Sequence, residues 1–271
     1  MVDVIVKFLI GLAAGVGIAF LAYRANSLNS GGMLAAAMLG TVVFGLGGVG
    51  WAVVLLTFFI SASALSKFFK TKKSIIGQNF AKGSRRDAGQ VAANGGVGGA
   101  LALAYFVLIR VSPESRLLPA LWLGFCASFA AANADTWATE LGVLNPRKPV
   151  LISNFKRVPQ GTSGGISLVG SLAALSGSAL VGMIAVLSAE AGWAPMGGLP
   201  VWGQFFVITG AGVLGSFVDS YLGATVQAVY FCPACKEETE RHPTHVCGTG
   251  TDLKRGLPWL NNDWVNTACT L

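Results

Sequence analysis

From Ala25 to Ser66 the chain runs 42 residues without an acidic or basic side chain. A membrane-crossing helix needs about 20 apolar residues, so this stretch is long enough for two crossings. Its glycines at 45, 47, 48 and 50 supply a break between them. Five further apolar stretches fit one crossing each. Val4–Val6 and Phe8–Tyr23 make a first span, Val91–Ile109 a fourth, and Leu117 to about Trp137 a fifth. Val158–Ala189 holds a sixth behind a Gly-rich approach, and Val201–Gln227 makes a seventh. Charged residues are 11% of the chain, against about 25% in soluble domains, which excludes a soluble globular or a disordered protein. The 36 glycines suit membrane helices whose backbones approach closely. The expected fold is all-α. A polytopic membrane helical bundle of about seven spans (1–227) is followed by a small zinc-knuckle-like Cys/His loop (228–257) and a short C-terminal segment (258–271).

The first apolar run lacks the basic flank and small-residue cleavage site of a signal peptide, so it reads as a span. There is no Arg/Ser-rich transit segment either, and a prokaryotic plasma membrane is the simplest expected setting. With the N-terminus outside, every Lys and Arg except Lys7, Arg110 and Arg116 falls on the inside. The positive-inside rule therefore makes that side cytoplasmic. The net charge of +7 reads as topology, and nucleic-acid binding is excluded as a partner class because the charge sits in short loops between spans.

Ionisable and amide side chains at membrane depth are costly and point to function. Three groups lie at span ends on the expected cytoplasmic side. In the first, Asp87, Gln90 and Asn94 share one helix face behind Arg85 and Arg86. In the second, Asn133, Asp135, Thr136, Thr139 and Glu140 cover one side of the end of the fifth span. Two carboxylates one turn apart with hydroxyls between them suit magnesium, which takes one or two carboxylates plus phosphate oxygens and water. In the third, Ser216, Asp219, Ser220, Gly223 and Gln227 form a polar stripe along the seventh span. Between the second and third lies Gly161-Thr-Ser-Gly-Gly165, preceded by Lys156 and Arg157. Gly-rich turns that open a helix can direct backbone N–H groups and the helix dipole at a phosphate. The chain has no Walker A pattern. Asp135-Thr-Trp and Asp219-Ser-Tyr form a short internal echo, as expected of a duplicated architecture.

Both histidines and three of the five cysteines fall between Cys232 and Cys247. Cys232-Pro-Ala-Cys235 is a two-thiolate knuckle. With His245 and Cys247 it makes a Cys₃His set for structural zinc, and His242 competes for the fourth place. A closed four-ligand site leaves no open position for catalysis. Nothing around the CxxC resembles a thioredoxin context.

Several segments together resemble one family. They are Arg85-Arg-Asp-Ala-Gly-Gln-Val-Ala-Ala-Asn94, Ala134-Asp-Thr-Trp-Ala-Thr-Glu-Leu-Gly142, Pro159-Gln-Gly-Thr-Ser-Gly-Gly-Ile-Ser167, Gly215-Ser-Phe-Val-Asp-Ser-Tyr-Leu-Gly-Ala-Thr-Val-Gln227, the Cys232–Cys247 segment and Asn261-Asn-Asp-Trp-Val-Asn266. The family is the integral-membrane one that includes plant phytyl-phosphate kinase. The resemblance runs from about Lys67 onward. It implies a kinase that converts an isoprenyl monophosphate, such as phytyl or geranylgeranyl phosphate, to the diphosphate with CTP or UTP, in a tocopherol-type lipid salvage reaction. It brings Asn262, Asp263 and Asn266 into the candidate site, although Trp259–Leu271 is too short to cross a bilayer.

On this basis Asp135, Glu140 and Asp219 are the expected catalytic and magnesium-holding residues. Arg85, Arg86, Lys156 and Arg157 would neutralise phosphates, and Gly161, Thr162, Ser163, Gly164 and Gly165 would cradle one. Two rivals remain: a CDP-lipid nucleotidyltransferase, and a transporter or flippase of a phosphorylated lipid.

Overall fold

The computed structural model describes residues 2–69, 85–195 and 198–271, with side chains from residue 5 onward. Most of the basic stretch between spans three and four lies outside the described residues.

Seven helices are long and apolar enough to cross a membrane. They are α1 (Val2–Arg24), α2 (Ser30–Val42), α3 (Val49–Phe68), α4 (Ala88–Val111), α5 (Leu117–Gly142), α6 (Leu168–Glu190) and α7 (Val201–Thr225). The expected glycine break takes the form of a π-helical turn, Val43–Gly47, that extends α2. It ends at Gly48, whose φ of +96° only glycine adopts freely. The sixth span begins at Leu168, behind the Gly-rich approach, where residues 158–167 form a loop and a short strand.

Helices α5 and α6 form the centre, each with more than half of its span buried. α5 packs on α3, α4, α6 and α7. Small residues set these distances. A Cβ on Gly215 would lie 2.6 Å from the Ala131 Cβ, and one on Gly212 would lie 2.8 Å from the Ala130 backbone. Close backbone approach through glycine and alanine is how membrane helices gain packing without a hydrophobic driving force. In one half of the bundle the core is aromatic. Trp51, Trp122, Phe125 and Phe129 are wholly buried and stack with Tyr105 and Phe58, with ring centroids 4.4–5.8 Å apart.

After α7 the chain forms a three-stranded antiparallel sheet of β3 (Val229–Cys232), β4 (Glu237–Thr239) and β5 (Asp252–Arg255), in the order β4-β3-β5. Helix α8 (Asn262–Cys269) follows and docks on α4 and α7. A two-stranded ribbon, β1 (Val150–Leu151) with β2 (Gly165–Ile166), holds the α5–α6 connection. The bundle is therefore all-α in its membrane part, with small sheets confined to the connections at one end. Among the described residues these sheets lie between α5 and α6 and after α7.

Candidate active site

At that end lies a cavity of about 620 Å³. Five transmembrane helices, α8 and two loops line it. α5 contributes Asp135, Thr136, Thr139 and Glu140, and α7 contributes Ser216, Asp219 and Ser220. α4 adds Gln90 and Asn94, α8 adds Asn262 and Asn266, and Gly161–Ser167 forms one wall. Three polar stripes separated by up to 130 positions thus face a single space.

The carboxylates divide into two groups. Asp219 faces Asp135 closely enough for their carboxyl groups to interact, and Glu240 acts on it as well. Asp135 lies seven residues before the end of α5 and Asp219 six before the end of α7, and the Gly212 and Gly215 contacts draw those helices together. Two ionised carboxylates at such range repel, and a cation between them or a shared proton removes the repulsion. Cys269 lies beside this pair. Burial, then Asp135 and Asp219, push its thiol above the usual range.

Glu140 belongs elsewhere. It is buried, accepts a 2.7 Å hydrogen bond from Ser66 Oγ and interacts with Arg86. Burial lowers Arg86 to about 10, opposed by Glu140, so its guanidinium stays charged near neutral pH. The expected trio of Asp135, Glu140 and Asp219 is therefore an aspartate pair plus a separate Glu–Arg unit.

Other expected residues take structural positions. Asp87 does not sit on the α4 face. It is the helix N-cap, accepting from Gln90 N–H at 2.9 Å while Gln90 Oε1 accepts from Asp87 N–H at 3.1 Å. This reciprocal box satisfies helix-end donors that would otherwise be unpaired. Asn133 is fully buried outside the cavity lining. Its Oδ1 accepts from Ser61 Oγ at 2.9 Å, and its Nδ2 donates to Gly177 O at 2.8 Å, tying α3, α5 and α6 together. Arg85, Lys156 and Arg157 are exposed and outside the lining, and Arg85 lies 5.9 Å from the Tyr23 ring centroid. Asp263 lies in the first turn of α8, outside the lining. A long basic side chain at a membrane surface gains more by reaching water than by turning inward.

The glycine loop lines the cavity but is tightly folded. The N–H groups of Thr162 and Gly165 donate to Pro159 O and Thr162 O, so both donors are committed within the loop. Thr162 Oγ1 likewise donates to Pro159 O at 2.9 Å. Gly164 has φ +82° and abuts the Ala224 backbone, so a side chain there has neither a favourable conformation nor room. What the loop directs at the cavity is the start of α6, where Ser167 caps Gly170 N–H at 3.1 Å. The N-terminus of that 23-residue helix carries partial positive charge.

The Cys/His segment also reaches the cavity. Cys232, Cys235, His245 and Cys247 offer ligand atoms that all lie within 4.8 Å of one another and could hold a metal ion such as zinc. Cys232 and Cys247 sulfurs are 3.6 Å apart, and His245 Nδ1 is 3.4 and 3.3 Å from Cys235 and Cys247. Tetrahedral zinc with ordinary bond lengths places S···S at about 3.8 Å and S···N at about 3.5 Å, so the set fits. Hydrogen bonds from Thr249 pull Cys247 down to about 6. His242 is not part of the set, since it stacks on Tyr230 at 4.4 Å. The strands around this cluster carry Glu240 and Arg241 into the cavity lining. Gln227 connects the parts. It accepts from Ser163 Oγ at 3.2 Å and donates from Nε2 to Glu240 at 2.8 Å. Arg255 donates to Gly223 O at 2.9 Å. Glu240 and Arg241 were missed in sequence because they sit in a hydrophilic segment where charge is unremarkable. Their nearness to Cys235 and His245 was the available signal.

The family model described as integral membrane protein DUF92 matches residues 13–271. The chain belongs to this family. It is the family to which the sequence motifs pointed. Protein PGR of Arabidopsis thaliana is 35% identical over 261 residues, covering 92% of this chain and 87% of that protein. An uncharacterized membrane protein of Methanocaldococcus jannaschii is 27% identical over 210 residues, 76% of this chain and 78% of that one. Protein VTE6, chloroplastic, of Arabidopsis thaliana is 26% identical over 241 residues, 89% of this chain and 61% of that one. No solved structure matches. The family match begins within α1 and includes every element that lines the cavity, together with the Cys/His cluster. Its relatives include plant proteins, so the prokaryotic membrane expected above is not a family trait.

Proposed function

We propose that this integral membrane protein is a kinase that transfers a phosphoryl group from a nucleoside triphosphate, CTP or UTP, to an isoprenyl monophosphate such as phytyl or geranylgeranyl phosphate. The observation that carries this reading is the facing pair Asp135 and Asp219 in one cavity with the half-buried cation Arg86 and the α6 N-terminus. These are the parts phosphoryl transfer requires: a metal position, a cationic clamp and aligned donors. Magnesium held by Asp135 and Asp219 would neutralise the triphosphate of the nucleotide.

In the reaction an oxygen of the acceptor monophosphate forms a bond to the γ-phosphorus. The bond from that phosphorus to the β–γ bridging oxygen breaks, and the nucleoside diphosphate leaves. The attacking oxygen is already anionic, so no strong base is needed, and catalysis is chiefly positioning and charge neutralisation. Arg86, fixed by Glu140, would bind the acceptor phosphate. Arg241 and the α6 N-terminus would bind the nucleotide phosphates, and Thr136, Thr139, Ser216, Ser220, Asn262 and Asn266 would supply hydrogen bonds. The zinc-knuckle-like module is structural in this reading and holds Glu240 and Arg241 in place. We place the cavity on the cytoplasmic side, where nucleotides are available and where the basic loops gather.

The test is purified protein in detergent with magnesium, geranylgeranyl or phytyl monophosphate and each nucleoside triphosphate in turn, with lipid products read by mass spectrometry. Diphosphate formation, lost in Asp135→Asn, supports the kinase. A nucleotide-linked lipid replaces it with the nucleotidyltransferase. No nucleotide consumption by folded protein replaces it with the transporter.

A further inference from the structure

A second cavity, of about 250 Å³, lies between α1, α2, α3 and α4. No sequence motif announced it. Its walls are aliphatic and aromatic, including Ala36, Leu39, Phe44, Leu55, Phe58 and Phe59. The polar side chains on its lining are Arg86, Gln90 and Asn94, and the same three line the carboxylate-bearing cavity. The two spaces therefore meet at one seam. Ile18 on α1 and Val49 at the start of α3 also belong to the lining and are 38% and 47% exposed, so the chamber is not closed off by the protein at these positions.

Arg86 is built into this seam. Its guanidinium lies 5.2 and 5.9 Å from the ring centroids of Phe58 and Phe59, which wall the apolar chamber. It also interacts with Glu140, which lines the polar cavity. Its backbone is pinned to the α1–α2 turn: Arg86 N–H donates to Ser27 O at 2.9 Å, and Asn29 N–H donates to Arg86 O at 3.0 Å. Gly32 lets α2 approach, since a Cβ there would collide with Arg86 O. A cation held between an apolar chamber and a polar cavity complements a hydrocarbon chain ending in an anionic phosphate.

We infer that the α1–α4 chamber seats the hydrocarbon tail of the phosphorylated lipid, with Arg86 at the junction of tail and phosphate. This rests on the lipid-phosphate reading of the polar cavity and adds where the tail lies and what measures it. The bilayer is as apolar as the chamber, so selection comes from shape rather than from hydrophobic gain. Small side chains at Ala36 on α2 and Ala52 on α3 leave the space that a tail fills.

The experiment uses geranylgeranyl monophosphate with a diazirine at the far end of its tail. It is photolysed with the full-length protein in phosphatidylcholine nanodiscs, without nucleotide, and the labelled peptides are mapped by mass spectrometry. The label is expected in α1, α2 or α3. Unlabelled geranylgeranyl monophosphate should compete it away, and geranylgeraniol should not. Ala36→Phe and Ala52→Phe, introduced from opposite walls, should each cut labelling by about tenfold or more with the unfolding midpoint unchanged, as a pocket filled by an extra ring rejects its ligand. Label on α6 or α7, dispersed or absent label, or equal competition by geranylgeraniol overturns the inference. The last result would mean a groove filled by any lipid chain. If both variants unfold, the wild-type map and competition alone decide. The readout needs no turnover, so a protein that binds lipid phosphate without kinase activity passes this test and fails the preceding one.

Discussion

The N-terminal half of α5 buries Trp122, Phe125 and Phe129 in an aromatic cluster with Trp51 and Tyr105, whereas its C-terminal half turns Asp135, Thr136, Thr139 and Glu140 to a cavity. Both halves belong to one uninterrupted 26-residue helix in the middle of the bundle. The aromatic half fills its space with side chains and fixes how α3, α4 and α5 pack. The polar half leaves its space open, and the small residues facing it on α7 bring two carboxylates together instead of filling the gap. The rigid half thus holds the open half in shape, as a preorganised site requires.

Four substitutions can break or sharpen this contrast. The largest effect is expected from Asp135→Asn. Turnover in the phosphotransfer assay should fall about 10³-fold, the loss typical of one critical electrostatic group. The unfolding midpoint should hold or rise, because one of two facing charges has gone. A fall in stability with turnover intact would make the aspartate pair structural. Phe125→Ala, in the closed half, should do the reverse. Emptying a fully buried aromatic position costs about 3–5 kcal/mol, seen as a lowered unfolding midpoint, while KM for nucleotide stays within about twofold. Next comes Cys235→Ser. It should remove bound zinc, measured by elemental analysis, and raise nucleotide KM by about tenfold as Glu240 and Arg241 lose their support. Zinc retained at full stoichiometry would contradict the four-ligand set. The smallest effect is expected from Asp87→Ala, which deletes an N-cap worth about 1 kcal/mol and should leave turnover nearly unchanged. A 10²-fold or greater activity loss there would return Asp87 to the binding site.

The seven spans were legible because bilayer thickness imposes a length on each apolar run. Glycines marked where apolar runs are interrupted, at Gly48 and in the loop before Leu168, but not the π-helical turn or the short strand formed there. Candidate residues were legible as costly polar groups in apolar helices, but their roles were not. Asn133 and Asp135 are two positions apart and look equally out of place. One is satisfied by Ser61 and Gly177, and the other faces Asp219. Arg85 and Arg86 are adjacent, and their opposite fates follow from which one the α1–α2 turn pins inward. The Cys₃His set with His245 was legible from spacing, and the structure groups those same four side chains while His242, its competitor, stacks on Tyr230.

Composition and the spacing of charges by themselves determined that this is a seven-span membrane bundle, that its polar groups sit at one end, and that a Cys/His cluster follows the last span. Each is a local property, fixed by the cost of burying charge or by ligand spacing. Only the tertiary structure decided that Asp135 pairs with Asp219 and Glu140 with Arg86, that Glu240 and Arg241 join the cavity, and that an apolar chamber adjoins it at Arg86. Those facts depend on how helices distant in sequence approach one another. That approach is set by small side chains such as Gly32, Gly212 and Gly215, whose partners no single stretch of sequence names.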